Sequence, residues 1–195
     1  MDVMDKVKIV CIGDSLTEGY QIPAGSCWPS LLNQESAYEV VNSGICGDTT
    51  CGMLARFHEM VILHKPNYVI IMGGTNDIWF NTPDQQIIGN ILAMTRLARH
   101  YKIQSIIGIP TPYYLPEPGE GKHFFMNLKG MYLRLGEYIQ TLKQFALDDN
   151  QPIIDFSLHM NAGLFLEDGL HPNKEGHQKM AEVAKNSLFP ILSIS

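Results

Sequence analysis

The stretch Val7-Lys8-Ile9-Val10-Cys11-Ile12-Gly13-Asp14-Ser15-Leu16-Thr17-Glu18-Gly19 decides how this chain is read. Val7 to Ile12 is an apolar run of strand length, and a helix is predicted from about Trp28. A Ser set between glycines at the end of a strand is lifted above the carboxyl edge of a sheet, where open α/β folds carry their chemistry. A serine hydroxyl there is a poor nucleophile until a base takes its proton. The matching feature is a His with an orienting acid, and Asp168-Gly169-Leu170-His171 supplies it. Taken singly, Gly-Asp-Ser is an ordinary turn tripeptide, and Asp-x-x-His is a helix cap followed by a surface His. The two together, one after the first strand and one before the last helix, point to a Ser–His–Asp site.

Outward from this stretch the chain alternates strand and helix. Strands are predicted at Val7–Ile12, Tyr38–Val41, Tyr68–Met72, Ile103–Ile109 and Pro152–Phe156. A short helix is expected over Trp28–Gln34, with Ser26 as its cap. A second starts at Thr49 or Thr50 and carries Met53, Leu54, Phe57, Met60 and Val61 on one face. Thr82-Pro83-Asp84-Gln85 reads as a capping Thr, a Pro at the first helical position and a Gln at the capping-box position. The stripe Leu128, Met131, Tyr132, Leu135, Tyr138, Ile139, Leu142 and Phe145 predicts a long core-facing helix, and Lys174–Leu188 a closing one. Five strands alternating with helices imply a parallel sheet with right-handed crossovers. Between them, 110–127 is a long loop.

Composition bounds the function. A chain of 195 residues is expected to form a single domain over 1–195 with a sizeable core. A net charge of -6 without any Lys/Arg cluster argues against a nucleic-acid partner. The longest apolar run, Tyr68–Met72, is far too short for a membrane span, and the run after the polar N-terminus is too short for a signal-peptide core. The four cysteines, Cys11, Cys27, Cys46 and Cys51, form neither Cys-x-x-Cys nor a zinc pattern with His, so they read as free thiols of a cytoplasmic protein. No metal or cofactor is expected. Asp14, Asn42, Asp48 and Asp77 follow no metal-ligand spacing and are expected to bind backbone N–H groups of their loops. His58, His64, His100, His123, His159 and His177 have no paired motif and are expected at the surface.

Asn42-Ser43-Gly44-Ile45-Cys46-Gly47-Asp48-Thr49 follows the second strand, and Gly73-Gly74-Thr75-Asn76-Asp77 the third. With these two blocks between Ser15 and His171, the chain resembles the SGNH (GDSL) hydrolases, a family of esterases, lipases and acyl-thioesterases. The resemblance implies a flavodoxin-like three-layer α/β/α sandwich with strand order 2-1-3-4-5. It implies Ser15 as nucleophile, His171 as base and Asp168 as its orienter. It also implies an oxyanion hole made by the N–H of Ser15, the N–H of Gly47 and the side-chain amide of Asn76. Position 17 is Thr, so the stretch is not the Gly-x-Ser-x-Gly nucleophile elbow of α/β-hydrolases.

The expected activity is hydrolysis of small carboxylic esters with short-to-medium acyl chains. A thioester, a lysophospholipid or an acetylated sugar would suit the same residues. Ile78, Trp79 and Phe80 after the Asn76 block, and Tyr113, Tyr114 and Leu115 in the long loop, are candidates for the acyl pocket, with Phe124 and Phe125 further along that loop. A non-catalytic binding module is the alternative of a different class. A flavin or phosphate binder is disfavoured because no Ser/Thr-rich phosphate loop follows the first strand, where Glu18 would repel a phosphate.

Overall fold

The computed structural model describes residues 6–114 and 128–193. Its strands are β1 (Val7–Gly13), β2 (Tyr38–Gly44), β3 (Tyr68–Met72), β4 (Gln104–Ile109) and β5 (Ile153–Asp155). Its helices are α1 (Ser15–Glu18), α2 (Trp28–Leu32), α3 (Thr50–Ala55), α4 (Phe57–Met60), α5 (Thr75–Trp79), α6 (Asp84–His100), α7 (Leu128–Asp148) and α8 (Lys174–Ser193). The strands pair in parallel in the order β2-β1-β3-β4-β5. The order reverses direction beside β1, where the chain runs outward to β2 and then crosses back to β3. That reversal opens a crevice at the carboxyl ends of β1 and β3.

Alternation along β1 builds two core layers. Val10 and Ile12 face one way, into a cluster with Met53, Phe57, Ile91, Met94, Tyr138 and Leu142 from α3, α4, α6 and α7. Ile9 and Cys11 face the other way, onto Trp28, Leu32, Met180 and Leu188 from α2 and α8. β3 is buried along its whole length, as its uninterrupted apolar sequence requires of a strand covered on both faces. The expected three-layer sandwich is therefore the fold observed. Among the described residues, no helix is long and apolar enough to cross a membrane.

Element ends differ where distant contacts replace local caps. Ser26 does not cap α2; the N-cap position is Cys27, without a side-chain cap bond. The free N–H of Trp28 is taken instead by Nδ1 of His177 in α8, at 3.2 Å. Thr82 does not cap α6, which begins at Asp84 with Pro83 at its N-cap position. Arg134 of α7 crosses over to hold Asn81, the Thr82 carbonyl and Asp84. Thr49 does cap α3, accepting from Gly52 N–H. The helix expected to follow it is broken at Arg56 into α3 and α4. β2 runs past Val41 to Gly44 because Asn42, Ser43 and Gly44 stay in register with Cys11, Ile12 and Gly13. α8 continues beyond Leu188, through Pro190, to Ser193.

His177 corrects the expectation of surface histidines. His58, His100 and His159 are exposed and His64 is half-buried, but His177 is fully buried; His123 lies outside the described residues. Burial pulls the His177 imidazole down to about 4, helped by the nearby His171. Its Nδ1 accepts a hydrogen bond, so its proton sits on Nε2, which has no partner among the described residues. A His whose folded pKa lies below its ordinary 6.5 contributes stability that is complete above about pH 6.5 and is lost as pH falls through about 4. The full effect is on the order of 3 kcal/mol. His177→Asn keeps an acceptor for the Trp28 N–H but does not titrate. Denaturant melts between pH 4 and 7 are expected to show a shallower acid loss of stability in this variant than in the wild type.

Candidate active site

The site is assembled by four loops at the carboxyl edge of the sheet. Gly13 ends β1, and Asp14 caps α1 by accepting the Leu16 N–H at 2.9 Å. This puts Ser15 on the first turn of a helix whose own length is a single turn. Trp28 holds that turn from behind, donating its indole N–H to the Leu16 carbonyl at 3.1 Å. Ser15 is 6% exposed, enough for its hydroxyl to face the crevice. Its Oγ lies 3.0 Å from Nε2 of His171.

The Asp168–His171 turn supplies the rest of the relay. Oδ2 of Asp168 lies 2.7 Å from Nδ1 of His171, and Oδ1 accepts the N–H groups of Leu170 and His171 at 2.9 Å each. Partial burial pushes the Asp168 carboxyl up, but the His171 ring and the two backbone N–H groups outweigh it and hold the carboxyl at about 2. With Nδ1–H directed at a carboxylate, the lone pair of Nε2 is left facing the Ser15 hydroxyl. The turn is docked by backbone pairing, Tyr114 N–H to the Gly169 carbonyl at 2.8 Å. Gly169 has φ +67°, and a Cβ there would meet the Tyr114 carbonyl at 1.8 Å, so no other residue fits without moving the base. The Tyr20 ring leans on His171, with centroids 4.3 Å apart.

Opposite the relay lies the loop after β2. Gly47 has φ +78° and open space where a Cβ would stand, which leaves its N–H approachable. Glu18 accepts the Cys46 N–H just before it. Asn76, on α5, donates one Nδ2 hydrogen to the Asp48 carbonyl at 2.9 Å; the second amide hydrogen has no acceptor among the described residues. Asp77 reaches back to α3, accepting from the N–H and hydroxyl of Thr50 at 2.9 and 2.6 Å, and Asn90 of α6 donates to the same hydroxyl. The four polar residues expected to serve their loops do so: Asp14 and Asp77 as above, Asn42 through the Gly44 N–H, and Asp48 through the Thr49 N–H. Asp14 is fully buried, and burial pushes its carboxyl up to about 7, against the pull of the Leu16 N–H and of His171.

Arg56 has a role that no motif in the sequence announces. Its Nε meets Asp48 at 2.7 Å, one terminal nitrogen donates to the Ser43 carbonyl at 2.8 Å and the other to the Gly13 carbonyl at 2.9 Å. One guanidinium thus joins the ends of β1 and β2 to the Gly47 loop. The signal available in the sequence was a single Arg in an otherwise apolar helical stripe, with nothing to name its acceptors.

Ser15, His171, Asp168, Gly47 and Asn76 meet around one cavity of about 290 Å³, also lined by Tyr20, Cys46, Thr75, Trp79, Tyr113 and Leu170. Of the acyl-pocket candidates, Trp79 and Tyr113 line it. Ile78 does not: it is 3% exposed and belongs to the core. Phe80 does not: it points to solvent, 68% exposed. Tyr114 braces the His171 turn instead, with its ring on Phe165 and its hydroxyl donating to the Met160 carbonyl at 2.7 Å. Leu115, Phe124 and Phe125 lie outside the described residues, as does most of the 110–127 loop.

A lysine at position 56 keeps the positive charge but cannot span three acceptors. Arg56→Lys is expected to lower kcat of ester hydrolysis by about 10–10²-fold, the scale of an ångström-level misplacement, with KM little changed. Steady-state kinetics on folded protein, with reactive serines counted by titration, check this. A proportional loss of titratable serine would mean that Arg56 serves only folding.

Comparison with known proteins bears on what this cavity is for. The family model of the GDSL-like lipase/acylhydrolase family matches residues 11–179. A curated arylesterase of Vibrio mimicus is 30% identical over 93% of this chain and 88% of its own. The Escherichia coli protein named thioesterase 1/protease 1/lysophospholipase L1 is 27% identical over 95% of this chain and 85% of its own. Among solved structures, a lipolytic protein of the G-D-S-L family from Desulfitobacterium hafniense superposes with a TM-score of 0.79 at 30% identity, covering 93% of this chain and 99% of that one. With the match running from the first strand past His171, the chain belongs to the GDSL-like lipase/acylhydrolase family and is a serine hydrolase acting on ester bonds.

Proposed function

We propose that the cleft hydrolyses carboxylic esters of short-to-medium acyl chains through an acyl-enzyme on Ser15. The observation that carries this is the unbroken chain of contacts from Ser15 through His171 to Asp168 on the wall of one cavity. Ser15 Oγ attacks the ester carbonyl carbon as its proton passes to His171 Nε2. The carbonyl oxygen gains the negative charge and is met by the N–H groups of Ser15 and Gly47 and the free amide hydrogen of Asn76. His171 returns the proton to the departing alkoxide. Water then repeats the sequence on the acyl-enzyme, with His171 as base towards water and Ser15 leaving. Asp168 holds the ring orientation throughout and stabilises the imidazolium.

Trp79, Tyr113 and Leu170 give the cavity an apolar flank for a small acyl group. The relatives named arylesterase, esterase and acetylxylan esterase favour oxygen esters, and the one named thioesterase and lysophospholipase marks the neighbouring chemistries. No group of three His, Cys, Asp or Glu side chains among the described residues is placed to hold a metal. The four cysteines are unpaired, which favours a reducing compartment such as the cytoplasm.

Two measurements test this reading. Purified protein is expected to hydrolyse p-nitrophenyl acetate and butyrate in the presence of a chelator, and Ser15→Ala to abolish the activity; full activity in that variant would sink the serine mechanism. Asn76→Ala is expected to lower kcat by about 10²–10³ with a small change in KM, because the donor acts mainly when the oxygen is charged. A KM rise at constant kcat would make Asn76 a ground-state binding residue instead.

A further inference from the structure

We propose that this esterase selects its substrates by charge, that it accepts esters with neutral or cationic leaving groups and disfavours anionic ones, and that Glu18 is the residue that sets the preference. The inference rests on the ester-hydrolase reading and narrows its substrate class. Among the described residues lining the cavity there is no Lys or Arg. Asp168 contributes a carboxylate to its wall. Glu18, which is not itself a lining residue, places a second beside it: it lies one turn beyond Ser15 on α1, is exposed, and accepts the N–H of Cys46, a lining residue. No described cation pairs with it. The guanidinium of Arg56 is spent on Asp48 and the Ser43 and Gly13 carbonyls.

Cys46 stands between these charges and the cavity. Burial first, and then the charges of Glu18 and Asp14, raise its thiol above the ordinary value. An entering anion meets the same charges in a cleft whose apolar walls focus their field, on a chain with net charge -6. A Debye length of about 8 Å at physiological salt keeps Glu18 within range of a leaving group at the rim. Anionic thioesters such as acyl-CoA, and acidic lysophospholipids, are on this account poor substrates, although the acyl chemistry is the same.

The test uses two size-matched esters that differ by one charge, 3-carboxy-4-nitrophenyl butyrate and 3-carbamoyl-4-nitrophenyl butyrate. The ratio of their kcat/KM values is measured in wild type and in Glu18→Gln, at about 0.05 M and about 0.5 M NaCl. Because Gln keeps an acceptor for the Cys46 N–H, and because a ratio cancels any loss common to both esters, the readout is charge alone. The neutral ester is expected to be faster by at least about threefold at low salt, with the gap shrinking in high salt and in Glu18→Gln. Equal rates, a faster anionic ester, or a gap unchanged in Glu18→Gln would overturn the proposal. Inactivity of wild type towards the neutral ester would be a failure of the hydrolase reading itself, and is scored separately.

Discussion

Gly13 pairs with Gly44 on one side and with Met72 on the other, and the site depends on that double register. Parallel strands all end on the same edge, but only strands in matched register end at the same height. Because β1 lies between β2 and β3 and its last residue is level with theirs, the three loops carrying Ser15, Gly47 and Asn76 start from one plane. A slip of one residue at either ladder would turn a strand's side chains to the opposite face and move its loop by about 3.3 Å. The Ile45 N–H and the Arg56 guanidinium both end on the Gly13 carbonyl, so the same residue that sets the height also receives the bonds that lock it.

What the sequence made legible was local. Apolar runs announced the strands, and the blocks containing Ser15, Gly47, Asn76 and His171 announced the catalytic edge, since each is a short contiguous segment. The family resemblance added the strand order, which periodicity could not provide. What stayed hidden was set at long range. His177 is buried by a bond to a residue 149 positions away, and Arg56 reaches acceptors 13 and 43 positions away. α1 and α5 span four and five residues, too few for a periodic pattern to appear. The helical twist of α5, about 100° per residue, sends Ile78 to the core and Trp79 to the cleft. Phe80, at its C-cap, goes to solvent; three adjacent apolar residues that looked alike therefore have three different fates.

Buried or half-buried carboxylates recur behind the cavity, and each is used as a spacer. Asp77 and Asp48 bind α3 to α5 and to the Gly47 loop, and Asp14 shapes the turn under Ser15. Their cost is desolvation, offset unevenly: Asp48 has Arg56, Asp77 has Thr50, and Asp14 has one satisfied oxygen and one without a partner among the described residues. Asp14 is the member that responds by holding its proton up to about pH 7. Rigidity at a polar edge is therefore obtained at some expense of stability, as is usual where donors must be held in place before the substrate arrives.

The pairing of Tyr114 with Gly169 has a mechanical meaning. Asp168 and His171 share one turn, closed by the acid's own bonds to the Leu170 and His171 N–H groups, so their mutual geometry is set inside a four-residue cartridge. The Ser15–His171 contact, by contrast, spans two parts of the chain 156 residues apart and depends on how that cartridge is seated. A displacement at the Tyr114–Gly169 seat would carry acid and base away together. The pair would keep its own hydrogen bond while losing the contact with Ser15, so an intact His171–Asp168 pair does not by itself report that contact. The seat, made of backbone alone, sets whether Ser15 and His171 meet.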